Sequence, residues 1–260
     1  MKNKLILMAI TSLIFVSCEK DLLIPVSSFR INSDTLSVLK IATSDEFDLT
    51  NKSINSDSLF WDFGDGRTSN DSTVRLSYPK SGTYILKLTV KSKDGETSVS
   101  SKKVIVLDRV LRSVEIDNVD WDPKNLSEAW PGSDKADIFF QMQMFTYDSL
   151  DSKYLYPKCP VLYTSYVVKN VPNHYYQKTV ITITTKIIIE KNFVKFAPGN
   201  LNNAYLFSIM AIDSNGKIYR LANNASYGFG FGFREVDLSK NICTISGGYL
   251  TNFKLICDFE

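Results

Sequence analysis

The chain has 260 residues, enough for one large or two ordinary domains, with 44% hydrophobic and 22% charged residues and a formal net charge of +2. So small a net charge does not provide the basic surface that nucleic-acid binding needs, and nucleic acid is excluded as an expected partner. Thirteen Tyr and sixteen Phe, with many Val, Ile and Thr, suit half-buried pleated strands, so the composition leans towards β.

Taken in chain order, the first segment is unlike the rest. Lys2 and Lys4 precede an apolar run from Leu5 to Val16, interrupted only by Thr11 and Ser12. The run is shorter than the roughly 20 residues that span a bilayer. A basic start, a short apolar core and a small-residue ending make a secretory signal. Phe15-Val16-Ser17-Cys18 resembles a lipobox, with Phe15 where Leu is usual. The resemblance implies cleavage before Cys18 and lipidation of its thiol; an ordinary signal peptide and a membrane-spanning anchor are the alternatives. Each buried CH₂ of an acyl chain contributes about 0.8 kcal/mol, so several chains hold a protein on a membrane. Glu19-Lys20-Asp21 resembles the surface-export signals of Bacteroidota lipoproteins, which implies the outer face of the outer membrane. Residues 1–18 are thus read as signal and lipobox, and 19–26 as a tether. Without residues 1–18 the chain holds equal numbers of acidic and basic residues.

Residues 27–108 make a first unit. Phe47 to Ser53 reads as a strand entering a polar turn, followed by Trp61-Asp62-Phe63-Gly64-Asp65-Gly66. Ser81-Gly82-Thr83-Tyr84 leads into a strand in which Tyr84, Leu86, Leu88 and Val90 share one face and Lys87, Thr89 and Lys91 the other. Asp94-Gly95 is a hairpin turn and Val104–Leu107 a closing strand. Trp61 and Phe63 lie two apart and point to one face as core anchors. Gly64 and Gly66 free the backbone for a tight turn, whose N–H groups Asp62 and Asp65 can bind. These segments, in this order and separation, resemble a PKD domain, which implies an immunoglobulin-like β-sandwich over about eighty residues. Asp62 and Asp65 could also be read as a general acid and base, or as calcium ligands; the structural turn is the simpler reading.

Residues 112–260 make a second unit. Its expected strands are Ser113–Ile116, Ala136–Met144, Val161–Lys169, Thr179–Glu190, Ala204–Ile212 and Lys217–Leu221 around an Asp213–Gly216 turn, Tyr227–Arg234, and an Ile242–Ile245 to Leu250–Phe259 hairpin. About eight strands suffice for another sandwich. The stretch from Ile116 through Trp121-Asp122 to Phe140 loosely resembles a C2-like domain, although the spacing departs from that family. The resemblance implies loop carboxylates for calcium, with Asp117, Asp120 and Asp122, and also Asp134 and Asp213, as candidates; solvated loop aspartates are the simpler reading. No cofactor is expected, calcium being the one alternative left open. Phe229, Phe231 and Phe233 alternate with glycines and share a strand face, read as core rather than as a sugar platform. Tyr154, Tyr156, Tyr163, Tyr166, Tyr175 and Tyr176 are better placed for a surface.

Beyond Cys18, Cys159, Cys243 and Cys257 leave an odd count, which allows one disulfide plus a thiol or three buried thiols. The only histidine, His174, stands among loop residues, and the nucleophile-elbow, zinc-protease and phosphate-loop motifs are missing. The chain is therefore expected to be non-catalytic, a hydrolase with a hidden carboxylate pair being the remote alternative. Thr35, Ser58, Ser72 and Ser149, each after an Asp, resemble the O-glycosylation acceptors of Bacteroidota. The expectation is an all-β chain of two sandwiches, lipid-anchored, binding a surface protein or acting as spacer, with a glycan ligand as the alternative.

Overall fold

The computed structural model describes residues 23–117, 135–145, 159–172, 178–194, 204–224, 232–246 and 253–260. Cys18, Asp120, Asp122, Asp134, Ser149, His174, Phe229, Phe231 and four of the six candidate tyrosines (Tyr154, Tyr156, Tyr175, Tyr176) lie outside them. Nearly every regular element is a strand, and the architecture is all-β.

The first unit layers two sheets. One holds β1 (Phe29–Ile31), β3 (Phe47–Asn51) and β6 (Thr73–Leu76) in the order β1-β3-β6. The other has β2 (Val38–Ala42), β8 (Thr97–Leu107), β7 (Gly82–Lys91), β4 (Ser58–Asp62) and β5 (Thr68–Ser69) in the order β2-β8-β7-β4-β5, with β2 and β8 parallel. Alternation decides which residues enter the core: Leu86, Leu88 and Val90 are fully buried, whereas Ile85, Lys87 and Lys91 face out. They pack with Phe29, Ile31, Phe47 and Leu49 from the opposite layer, with Trp61 and Phe63 from their own sheet and its turn, and with Tyr78. Burying a large apolar side chain contributes roughly 1.5–3 kcal/mol, so this one cluster accounts for most of the unit's cohesion.

The second unit begins at once. β9 (Arg109–Ile116) starts one residue after β8, so Arg109, Val110 and Leu111 belong to its sheet. This sheet has the order β13-β9-β18-β17-β16, from β13 (Thr179–Thr182), β16 (Gly232–Asp237), β17 (Ile242–Ser246) and β18 (Phe253–Phe259). Facing it are β10 (Lys135–Phe145), β14 (Ala204–Ile212), β15 (Ile218–Asn223), β11 (Val161–Thr164) and β12 (Val168–Pro172). Their inner faces share one core that includes Val114, Ile138, Phe140, Phe207, Ile209, Cys243, Leu255 and Cys257.

Two expected strands are broken. The segment 161–169 divides because Ser165 substitutes its hydroxyl for the ladder: Phe140 N donates to Ser165 Oγ, and Ser165 N to Phe140 O. Both halves still pair with β10. The segment 179–190 leaves the ladder after Thr182. Ile183 N still donates to Arg112 O, but the next link is Leu111 N to Ile187 O, so residues 184–186 loop out. One helical turn, α1 (Lys191–Val194), follows. β14 is buried along nearly its whole length on both faces, which is why its residues read as an unbroken apolar run.

Candidate functional site

The aspartates of the 61–66 segment are occupied by the turn. Asp62 Oδ1 accepts from Gly64 N at 2.8 Å, and Asp65 Oδ1 from Arg67 N at 3.1 Å. Gly64 has φ +77°, and a Cβ on it would come within 2.8 Å of Ile85 O and 2.9 Å of Ile85 N. Neither constraint leaves room for a side chain. Partial burial pushes the Asp65 carboxyl up, but hydrogen bonds and charge from Arg67 outweigh it and hold the group below the ordinary carboxylate value. Arg67 also donates to Ser77 O at 2.7 Å and lies over the Tyr78 ring. The Tyr78 hydroxyl donates to Phe63 O at 2.7 Å, its ring stacks on Tyr84 at 3.9 Å, and burial pushes its pKa up. Trp61 is fully buried, with Nε1 donating to Asp71 O and Phe29 edge-on at 5.0 Å. Gly66 and Gly82 also take positive φ. Here the carboxylates shape backbone; Arg67 and Tyr78, which no motif reading singled out, complete the turn.

The outward face of the β2-β8-β7-β4-β5 sheet is more exposed. Phe60, Thr89 and Val99 are cross-strand neighbours, with Phe60 46% and Val99 60% exposed. Beside them a shallow groove of about 700 Å³ is lined by Asp57, Ser58, Asn70, Lys91 and Thr97. Here an exposed flat ring stands next to hydrogen-bonding side chains.

The joint between the units is a third feature. Arg109 is buried, its guanidinium donating to Thr43 O and to Asp45 Oδ1, both at 2.7 Å, and packing 5.1 Å from the Phe233 ring. Lys191 Nζ reaches the same Asp45 oxygen at 2.7 Å. Asp108 exchanges both backbone hydrogen bonds with Glu260, and Ser81 Oγ donates to Asp108 Oδ2. A buried guanidinium is tolerated only when paired, so Asp45 and Thr43 fix the joint. No sequence signal marks Arg109 or Asp45 beyond their charge.

Of the calcium candidates, Asp117 and Asp213 are among the described residues, and each has other partners. Asp117 lies 3.6 Å from Lys254, and Asp213 closes its own turn by accepting from Asn215 N and Lys217 N. Among the described residues no cluster of carboxylates, His or Cys could hold a metal. Thr35, Ser58 and Ser72 are exposed. Tyr166 is exposed and Tyr163 half-buried, on opposite sides of the Ser165 break. Phe233 packs against the second core. Cys159, Cys243 and Cys257 are buried.

The PKD domain family model matches residues 36–106. The chain is 34% identical over 82 residues to pre-pro-metalloprotease PrtV of Vibrio cholerae, and 40% identical over 65 residues to collagenase ColA of Clostridium perfringens. These alignments cover 32% and 25% of the chain but only 8% and 6% of those proteins. The solved PKD1 domain of the Vibrio cholerae protease aligns at 27% identity over 32% of the chain and 98% of that domain, with a TM-score of 0.26. The matched span holds the 61–66 turn, the buried Trp61 and the β7 strand in the order that the fold displays. Residues 36–106 are a PKD domain, with immunoglobulin-like β-sandwich architecture.

Proposed function

We propose that the chain is a non-catalytic cell-surface lipoprotein that serves as a protein-binding, adhesion or spacer module, held by acyl chains on Cys18 to the outer face of the outer membrane. The observation that carries this reading is the joint. A spacer must transmit position, and here Asp108 alone separates β8 from β9 while Arg109 and Lys191 both grip Asp45. The aspartate pair that could suggest catalysis is engaged by backbone N–H groups. Thr35, Ser58 and Ser72 are the described acceptors we assign to O-glycosylation, where sugars would shield strand edges from pairing. The test is metabolic labelling with a fatty acid, combined with pull-down of the full chain from intact cells. Label on the natural chain and none on Cys18→Ala, with a discrete protein partner, is the expected result. An unlabelled protein that external protease cannot reach ends the reading.

A glycan ligand is the second reading, favoured by the exposed Phe60 ring beside Asp57, Asn70 and Lys91. Screening the full chain on a glycan array decides it: binding that Phe60→Ala abolishes supports a sugar, and a blank array removes it.

A further inference from the structure

The last hairpin carries an unassigned pair of thiols. Cys243 on β17 and Cys257 on β18 are direct cross-strand partners, and both are buried. Opposed residues of antiparallel strands have Cα atoms about 4.5 or about 5.5 Å apart. Both spacings fall within the roughly 4.4–6.8 Å that a disulfide bridges. Cys159 is elsewhere, at the start of the β11 segment, where its carbonyl accepts from Gln143. The neighbourhood also differentiates the two thiols. A hydrogen bond from Cys257 lowers the pKa of Cys243, the Arg109 guanidinium adds to this, and the bond raises Cys257 in turn. The Arg109 charge acts on both members of the pair, and a buried cation near opposed thiols favours the thiolate, the nucleophile in disulfide exchange.

We propose that Cys243 and Cys257 join as a cross-strand disulfide under oxidising conditions, with Cys159 remaining a thiol. That the pair meets such conditions in the cell rests on the export reading above. The oxidant is an external disulfide, from a protein or a small thiol. Cys243 thiolate attacks one of its sulfurs and releases the first thiolate; Cys257 thiolate then attacks Cys243 sulfur and expels the second. Two S–H bonds and the oxidant S–S bond are broken and one S–S bond joins the strands. The oxidant leaves as two thiols, carrying both electrons and both protons. Because both sulfurs are buried in the closed sheet, the exchange belongs to folding, before β17 and β18 are sealed.

The experiment uses the full chain without substitution. It is refolded in a glutathione redox buffer, alkylated, and digested with trypsin without reduction. Cleavage after Lys240 and Lys254 yields peptides 241–254 and 255–260. The expected result is one species holding both peptides, two hydrogens lighter than their sum, with Cys159 alkylated. Separate alkylated peptides, or a link to Cys159 or Cys18, overturn the proposal. The same digest from cells alkylated before lysis separates the two readings. A link formed in the buffer but missing in cells leaves the pair assigned and removes the export reading.

Discussion

The two units solve one problem differently. In the first, a short run of residues fixes a turn, and the sheets follow: Asp62 and Asp65 hold backbone, Gly64 lets Ile85 approach, and Tyr78 seals Phe63. Among the described residues of the second, no turn dominates. Central strands do the organising, with β14 buried on both faces between β10 and β15 and β18 ordered between β9 and β17. A fold specified by turn chemistry leaves a sequence signature that can be recognised. One specified by a two-sided buried strand leaves only hydrophobicity.

That contrast can be broken by substitution. The largest effect is expected at Gly64→Ala, where positive φ and a backbone clash coincide: about 3 kcal/mol lost, against about 1 kcal/mol for Gly66→Ala, which has open space. Equilibrium denaturation of both variants checks it, and equal losses would refute the turn as organiser. Next comes Arg109→Met, expected to cost about 2 kcal/mol because Asp45 keeps only Lys191 and part of its solvent. Calorimetry is expected to show one unfolding transition for the natural chain and two for this variant. Tyr78→Phe leaves the Phe63 carbonyl without its donor and should lose about 1 kcal/mol by chemical denaturation.

Acid should strike the second unit first. The Lys178 hydrogen bond, with Lys254, lowers the Glu115 pKa, and Lys186 with Arg112 does the same for Glu260. Groups with depressed folded values stabilise fully above the unfolded value of about 4.3 and lose that contribution as pH falls through the folded value. Melting temperature should therefore fall on going below about pH 4, and Glu115→Gln should flatten the fall. The smallest effect is expected at Phe60→Ala: a stability change within about 0.5 kcal/mol, measured by the same denaturation, since the ring is exposed.

Much of the first unit was legible because its signals are local. The Trp61/Phe63 spacing, the β7 alternation and the Asp94-Gly95 turn each express geometry within a few residues. Tyr78, Arg109 and Asp45 were not legible, because each acts on a partner distant in the chain, as Arg109 does on Asp45 64 positions away. The broken strands failed for a related reason: Ser165 looks like a strand residue until its hydroxyl takes a ladder position. Of the aspartates that the C2-like resemblance suggested for calcium, Asp117 stands beside Lys254 and Asp213 accepts from its own turn amides, while the others lie outside the described residues.

A joint made of one residue has a consequence for handling by other proteins. Both backbone polar groups of Asp108 are engaged by Glu260, so a protease meets no extended strand between the units to draw into its cleft. Under the anchored reading proposed above, a cut ahead of β1 would release both sandwiches still joined through Asp108 and Glu260.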